Sequence, residues 1–513
     1  MIDFPLEIPE RSGDVLLAPR GLDLAGLLAL ARINRASLDA APLPIAGVAL
    51  GQWRAQAREE ALALARRYTA ALGAGPVPEG DLLLATGHQP VFFHPGIWVK
   101  YLLLDRLARE GQTGLALSVD SDEVEVSGAD VPTRAFGRLE RRREVLRRAA
   151  PEEPYEAHAA PSDVEWKEFL ARVARHLQTI PEPAVRAPWE AFRQIAPPAV
   201  DRFAAFMIAL RRRHEGPRRW LDLPISLLAG TEPFRAFFLH VAHDAARFAA
   251  VHNRHLQAYR AAQRIRTDAQ PFPDLEVEDR VELPFWTVRE GRRQRLFLTL
   301  SGRTLSTPAG TLGPLPDDPA SAAFSSFSVR PRAVTLTAFL RVFLSDLFIH
   351  GVSGARYDRV TDAVVAEFLE LRPPAYLAAS ATLALPFQDA ANRAAERAVL
   401  SRQIQEARHN PDRLLRDPTA EQTTLVDEKW RLIRRLEAPT LGRAERREAT
   451  RRIREINERL SASLAGSLAE AEETLAALEE GKGSGDAATY RGYPFFLFAP
   501  ETMEALVDAM LRR

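Results

Sequence analysis

Over residues 21–73 apolar positions recur every three to four residues, as in GLLALARINRA (26–36) and AREEALALARRYTAALG (57–73), and the spacing predicts amphipathic helices. GPVPEG (75–80) breaks the second of them, and the short apolar run DLLLATG (81–87) that follows predicts a strand. IWVKYLLLDRLARE (97–110) returns to helical spacing, and TGLALSVDSDEVEV (113–126) predicts a further strand that ends in acids. Strand, helix and strand in succession make a βαβ unit with parallel pairing and a right-handed crossover, so the fold class is α/β.

Residues 161–265 read as mainly helical. RVELPFWTVREG (280–291), RQRLFLTLSG (293–302) and RTLSTPAGTLG (303–313) then fit a hairpin or meander. Residues 332–370 read as helix–loop–helix, and AYLAASATLALPF (375–387) as a strand. From 388 to 481 strand signals vanish. There Ile453, Ile456, Leu460, Leu464, Leu468, Ala471, Leu475 and Leu478 recur three or four apart between Glu- and Arg-rich faces, which predicts antiparallel helices or a coiled-coil arm. EGKGSGD (480–486) closes the arm, YRGYPFFLFAP (490–500) predicts a strand and ETMEALVDAMLRR (501–513) a helix. The expected organisation is a core over 1–387 with helical and β-rich connecting insertions at about 150–330, an arm over 388–481, and a segment 482–513 returning to the core.

Composition narrows the function classes. The 68 basic side chains balance 68 acidic ones, so no net field favours nucleic acid or a membrane as partner. RAFGRLERRREVLRR (134–148) is basic and reads as a solvated helix face. The absence of cysteine excludes disulfides, zinc–thiolate sites and a cysteine nucleophile. MIDFPLEIPERSGD lacks the features of a secretion leader, and the longest apolar stretch, AVTLTAFLRVFLSDLFIHGV (333–352), is interrupted by Arg341 and Asp346; a cytoplasmic location is expected. Arginine outnumbers lysine by 64 to 4. An ammonium is a compact point charge and a guanidinium a broad fork, so a retained lysine marks a place where the fork does not fit. Of the four, Lys100 lies in a motif-like context, whereas Lys167, Lys429 and Lys482 sit in polar helices or a turn.

That context is ATGHQPVFFHPGIWVK (85–100), where a strand hands over to a helix and α/β proteins bind ligands. Thr86 and Gly87 end the strand, with Gly87 allowing a tight exit. His94 is placed to cap the helix, Pro95 suits its first position, and Gly96 lets a ligand approach the backbone. The free amides of that helix favour an anion. His88 and His94 at the strand's carboxyl edge can donate to an oxyanion or phosphate, with Gln89 between them and Lys100 neutralising charge. No metal site is expected, because the histidine spacing is not that of a helix-borne ligand pair. Asp120 and Asp122, with Glu123, end the next strand and can hold a ribose hydroxyl, a substrate amine or a magnesium ion; Glu125 reads as a solvated acid. FIHGVSGARYD supplies a third cluster in His350, Gly351, Gly354, Arg356, Tyr357 and Asp358, where the glycines mark a close approach to the backbone.

Taken in order, ATGHQPVFFHPGIWVKYLLL, LALSVDSDEVEV, VRPRAVTLTAFLRVFLSDLFIHGVSGARYD and PPAYLAASATLAL resemble the BshC family, the cysteine-adding enzymes of bacillithiol biosynthesis. The resemblance implies a Rossmann-like core, helical connecting segments and a coiled-coil domain that forms a homodimer. It also implies amide formation between cysteine and the amine of glucosaminyl-malate. On that reading Gly87, His88, Gln89, His94 and Gly96 form the anion cradle with Lys100. Asp120 and Asp122 orient the amine or a ribose, the Gly351–Asp358 turn forms the facing wall, and Arg330 and Arg332 grip a carboxylate, as of malate. No cofactor is named; ATP or another adenine nucleotide is compatible. The chain departs from the family where Thr86-Gly87-His88-Gln89 replaces Thr-Gly-Gln-Gln, His94-Pro95-Gly96 replaces Thr-Gly-Pro, and Asp120-Ser121-Asp122-Glu123 lacks a histidine. Gly351-Val352-Ser353-Gly354 replaces Gly-Pro-Gly-Glu, and the family's lysine falls about two positions after Lys100. A nucleotide-dependent ligase or transferase on another small carboxylic acid, and a non-catalytic coiled-coil scaffold, stay open on the residues.

Overall fold

The expected strand–helix–strand unit is present in the computed structural model, which describes residues 6–124, 127–135, 138–267, 269–387, 400–415, 418–436, 442–480 and 487–512. Glu125, Lys482, the side chain of Leu478 and both ends of the expected 388–481 arm lie outside them. The chain divides into two compact units, Met1–Leu385 with Arg491–Arg513, and Pro386–Tyr490.

In the first unit the elements that matter are β1 (Val15–Ala18), β2 (Leu83–His88), α1 (Pro95–Ala108), β3 (Thr113–Ser118), β4 (Trp220–Pro224), β5 (Leu347–His350), α2 (Val352–Phe368) and β6 (Leu377–Ala381). Six strands form one sheet in the order β1-β6-β5-β2-β3-β4, all parallel except β1, which runs antiparallel to β6. The chain moves one way from β2 through β3 to β4, then restarts at β5 on the other side of β2 and continues to β6. The β5/β2 boundary is therefore a topological switch point, where the loops leaving adjacent strands diverge and open a crevice at the carboxyl edge. Helices on the faces of a parallel sheet bury both of its sides, so β3, β4, β5 and β6 are buried at every position. The helix Leu50–Ala71 packs Trp53, Ala57, Ala61 and Ala65, all buried at helical spacing, into that core.

A five-stranded antiparallel sheet in the order Gly310–Pro314, Thr304–Thr307, Arg292–Thr299, Arg280–Arg289, Arg330–Pro331 carries the expected meander. Four expectations need correction. Residues 134–148 are not a helix face: Ser127–Ala135 and Arg138–Arg147 pair as an antiparallel hairpin. The helix–loop–helix expected over 332–370 contains β5, a central strand, and the helical 161–265 contains β4. YRGYPFFLFAP forms a 3-10 turn, Phe495–Leu497, and the start of the helix Pro500–Leu511 rather than a strand. Its run of aromatics has no alternation, and Phe495 and Phe496 are buried together against Phe92 and Phe192.

In the second unit the helices Ala420–Leu436 and Arg443–Ala462 meet through Leu425, Ile456 and Leu460, with Leu415, Val426 and Leu432 packed around them. The apolar stripe from Ile453 is interrupted by a turn at Ser463 and Leu464 before the helix Ala465–Glu480. Lys429, read from sequence as a polar helix residue, is instead buried, its Nζ 2.5 Å from Asp412. Among the described residues no helix is long and apolar enough to cross a membrane.

Candidate functional site

The expected anion cradle at α1 is not available. His94 does cap the helix, with Nδ1 accepting from the Gly96 amide at 3.1 Å. Pro95 has no N–H, and the Ile97 and Trp98 amides donate to the His94 carbonyl at 2.9 and 3.0 Å. The first turn of α1 has thus spent its donors. Gly96 is not open to a ligand either: a Cβ there would fall 2.8 Å from the Ala381 carbonyl oxygen and 2.6 Å from Arg491 Nη2. Nor does Gly87 form a turn. It pairs with Leu117 inside the sheet, and a Cβ would meet that residue at 3.2 Å. Thr86 is fully buried and donates to the Ile349 carbonyl at 2.7 Å, which ties β2 to β5.

The open helix end belongs to α2 instead. Gly351 caps it with extended backbone and no side-chain bond, and among the described residues the amides of Val352, Ser353 and Gly354 have no partner. Lys100 joins the two sides of the crevice. Its side chain leans back towards the start of α1, as helical side chains do, and Nζ donates to the Gly87 carbonyl at 2.9 Å. Its Cδ would lie 3.9 Å from a Cβ on Gly351. Lys100 is 3% exposed, no carboxylate pairs with it among the described residues, and burial lowers its ammonium to about 7.

The charge of this cation acts on three imidazoles. Burial and then the charge of Lys100 push His88 down to about 3, its ring edge-on to Phe93 at 5.5 Å. Burial, Arg491 and Lys100 push His94 down to about 4. His350 is lowered by burial, against the pull of Asp358, whose Oδ2 lies 2.9 Å from its Nε2. Imidazoles beside fixed cations stay neutral; His94 spends Nδ1 on the Gly96 amide and His88 Nδ1 lies 3.2 Å from the Gln89 carbonyl, which leaves each of these two its Nε2.

The acids are already engaged. Asp120 is buried and accepts from the Ser226 amide at 2.9 Å and the Ser226 hydroxyl at 2.5 Å; burial, with Glu156 adding, pushes it up to about 7. Asp122 accepts from Gln89 Nε2 at 2.8 Å and Arg293 Nη1 at 2.6 Å, which joins the meander to the loop after β2. Arg330 grips Glu156 with two bonds of 2.8 Å, and Arg332 donates to Glu282 at 2.6 Å while stacking on Trp286. Both guanidiniums are therefore paired with carboxylates within the chain.

The third cluster divides. Tyr357 is half-buried; burial, then Asp358 and Asp122, push its phenol up to about 12, and its ring lies edge-on to Phe272 at 6.1 Å. Gly354 packs against His350: a Cβ there would lie 3.1 Å from Nδ1. Arg356 holds the Leu6 carbonyl at 2.8 Å. Asp358 is fully buried and accepts from Arg341 Nη1 at 2.5 Å and Thr337 Oγ1 at 2.6 Å; although burial opposes it, Arg341 and His350 hold its carboxyl below the usual range. Asp358 supports the site from behind rather than lining it. Asp358→Asn is expected to destabilise the fold by about 3 kcal/mol, because it leaves the buried Arg341 undercompensated. Urea unfolding checks this, and the folded variant should still bind anions.

Among the described residues no three His, Asp or Glu side chains converge to hold a metal ion. Arg491, beside His94 and Gly96, was not indicated by sequence: it stands in YRGYP without a motif, and only the fold brings it to the crevice. No protein-family model and no curated protein matches the chain.

Proposed function

We propose that the first unit is a Rossmann-like core that binds an anionic small molecule in the β5/β2 crevice. The observation that carries this reading is unbalanced charge: the Lys100 ammonium is buried without a carboxylate, beside the open amino end of α2. A buried unpaired cation is costly, and an uncapped helix start favours negative charge. One bound anion answers both. The neutral histidines then supply hydrogen bonds without adding charge.

The resemblance to the BshC family adds a reaction to that site: a cytoplasmic ligase joining the carboxyl of cysteine to the amine of glucosaminyl-malate. The amine lone pair attacks the carbon of an activated carboxyl, and the bond from that carbon to its activating group breaks as the amide C–N bond forms. The activating group departs with the bonding pair (AMP, were the carboxyl adenylylated), and the amine gives up a proton. A carboxylate is a poor electrophile, so the reading requires an activated carboxyl, for which an adenine nucleotide is a compatible donor. Lys100 and the α2 amides would neutralise the anionic group involved. A deletion strain is expected to accumulate the cysteine-free conjugate and to lack the thiol product; an unchanged metabolite profile refutes the pathway. Thermal stabilisation by nucleotide is expected as well, and its absence would count against nucleotide-dependent activation. Ligation on another small acid is the second reading. The commitment of Asp122 to Gln89 and Arg293, at the position where the family carries a histidine-containing acidic run, favours it.

In the same reading the second unit is a coiled-coil arm through which two copies pair. Replacing residues 388–481 by a short linker is expected to leave a monomeric core by light scattering. An oligomer unchanged by the deletion would remove the arm from dimerisation.

A further inference from the structure

His350 ends β5, is 5% exposed and stands immediately before Gly351, the cap of α2. Asp358 Oδ2 lies 2.9 Å from its Nε2. Although burial opposes it, Arg341 and His350 keep that carboxyl ionised, so it can only accept. A lone pair on Nε2 would face an anionic oxygen, and Nε2 therefore carries the proton. Burial lowers the imidazole against the pull of Asp358, with Arg341 and Lys100 adding to burial, so the ring is neutral. Nδ1 is left as an acceptor.

That acceptor faces the open end of α2. Helical side chains lean towards the start of their helix, so a Cβ on Gly354, in the first turn, would project that way. Nδ1 lies 3.1 Å from this point and the Tyr357 hydroxyl 3.7 Å from it. Among the described residues nothing donates to Nδ1, and the Tyr357 hydroxyl has no hydrogen-bond partner. The Lys100 stem reaches the same helix start, its Cδ 3.9 Å from where a Cβ on Gly351 would be, and its charge acts on His350. An anion made only of acceptors would set its oxygens against the buried lone pair. An anion that also carries a neutral donor satisfies it.

We propose that the crevice takes a small 2-hydroxycarboxylate, its carboxylate at the α2 amides and Lys100 and its hydroxyl donating to His350 Nδ1. This rests on the crevice being the anion site argued above, and it adds the neutral donor that the ligand carries beside its charge. A hydroxyl fits better than an ammonium, whose charge would add to that of Lys100. A site built to bond a hydroxyl rejects the analogue that lacks it, because the buried acceptor is left unpaired. Gly354 keeps the space beside Nδ1 open for that hydroxyl.

Calorimetric titration of the full chain with glycolate, acetate and glycine, below the Lys100 value of about 7, tests the assignment. Wild type is expected to bind glycolate at least about tenfold more tightly than either of the others. His350→Gln keeps an amide N–H for Asp358 and removes the Nδ1 acceptor, so the preference for glycolate over acetate should fall to about twofold or less. Gly354→Ala retains the imidazole and fills the space beside Nδ1. It should reproduce that fall, and it serves where His350→Gln does not fold. A preference that survives in either folded variant overturns the proposal, as does glycine bound as tightly as glycolate. If wild type binds glycolate and acetate alike while Lys100→Met loses both, the hydroxyl assignment fails and the anion reading stands. If wild type binds none of the three, both fall.

Discussion

Lys100→Arg is expected to lose anion affinity and stability together, whereas Lys100→Met should lose the affinity and keep the fold. Lys100 is buried between Gly87, Gly351 and the ring of Tyr101, whose centroid lies 5.9 Å from Nζ. A planar guanidinium needs more width than an ammonium, and overpacking of this kind costs about 1–3 kcal/mol. Methionine matches the stem and removes only the charge. The pH dependence gives a second check. With its folded value lowered from 10.5 to about 7, Lys100 is deprotonated in the native state before it is in the unfolded chain. Between about 7 and 10.5 the unfolded state holds the extra proton, so stability rises with pH across that window and is independent of this group below it. Lys100→Met should remove that rise. Anion binding should run the other way and weaken as pH climbs through 7, because the ligand needs the ammonium. Urea unfolding and titrations at several pH values measure both, and a Lys100→Arg protein equal to wild type in affinity and midpoint would reduce the residue to a tolerated charge.

The largest loss of stability is expected from Asp346→Ala. This carboxylate is buried just before β5 and accepts from Arg54 Nη2 at 2.9 Å, Arg58 Nη2 at 2.6 Å and the Leu83 amide at 2.8 Å. It fastens the helix Leu50–Ala71 and the start of β2 to β5, the two strands that border the crevice. Removing one partner of a buried pair leaves a charge undercompensated, here Arg54 at 1% side-chain exposure, which keeps only the exposed Asp39 at 2.7 Å, and costs about 3–5 kcal/mol. Pairing Asp346→Leu with Arg54→Met should recover much of it, since buried ion pairs often break even against apolar packing. A single variant within about 0.5 kcal/mol of wild type by urea unfolding would contradict the network's role.

What the sequence disclosed follows from which forces act locally. The β2–α1–β3 unit, the His94 cap and the Pro95 start were legible, because periodicity and capping chemistry are written over a few neighbouring residues. The strands β1, β4 and β5 were not. Each spans five residues or fewer, and LFIH lies fully buried between two apolar helices, so it has no alternation to separate it from them. Lys100 stood out by its rarity, and the same reasoning applied to Lys429 would have indicated its burial against Asp412. Which helix start keeps free amides was not legible, because composition does not reveal whether amides are already bonded. The His94 ring and carbonyl occupy those of α1, whereas Gly351 has no side chain with which to cap α2. Arg491 was invisible because its neighbours in the fold, Gly96 and Ala381, are distant in the chain.

The interruption of the first unit by Pro386–Tyr490 has a consequence for biosynthesis. The helix Pro500–Leu511 contacts both α1 and β1, and it carries the Asp508 partner of Arg106 and the Glu504 partner of Arg218. The Phe495 amide closes onto the Phe93 carbonyl at 2.6 Å, inside the loop that precedes α1. None of these groups exists while the ribosome is still translating the helical unit. At about 5–20 residues per second, the sheet must wait for several seconds with one flank of α1 uncovered. During that interval Trp98 and Phe92 lack Phe495, so an aromatic face stays uncovered until that segment has been made.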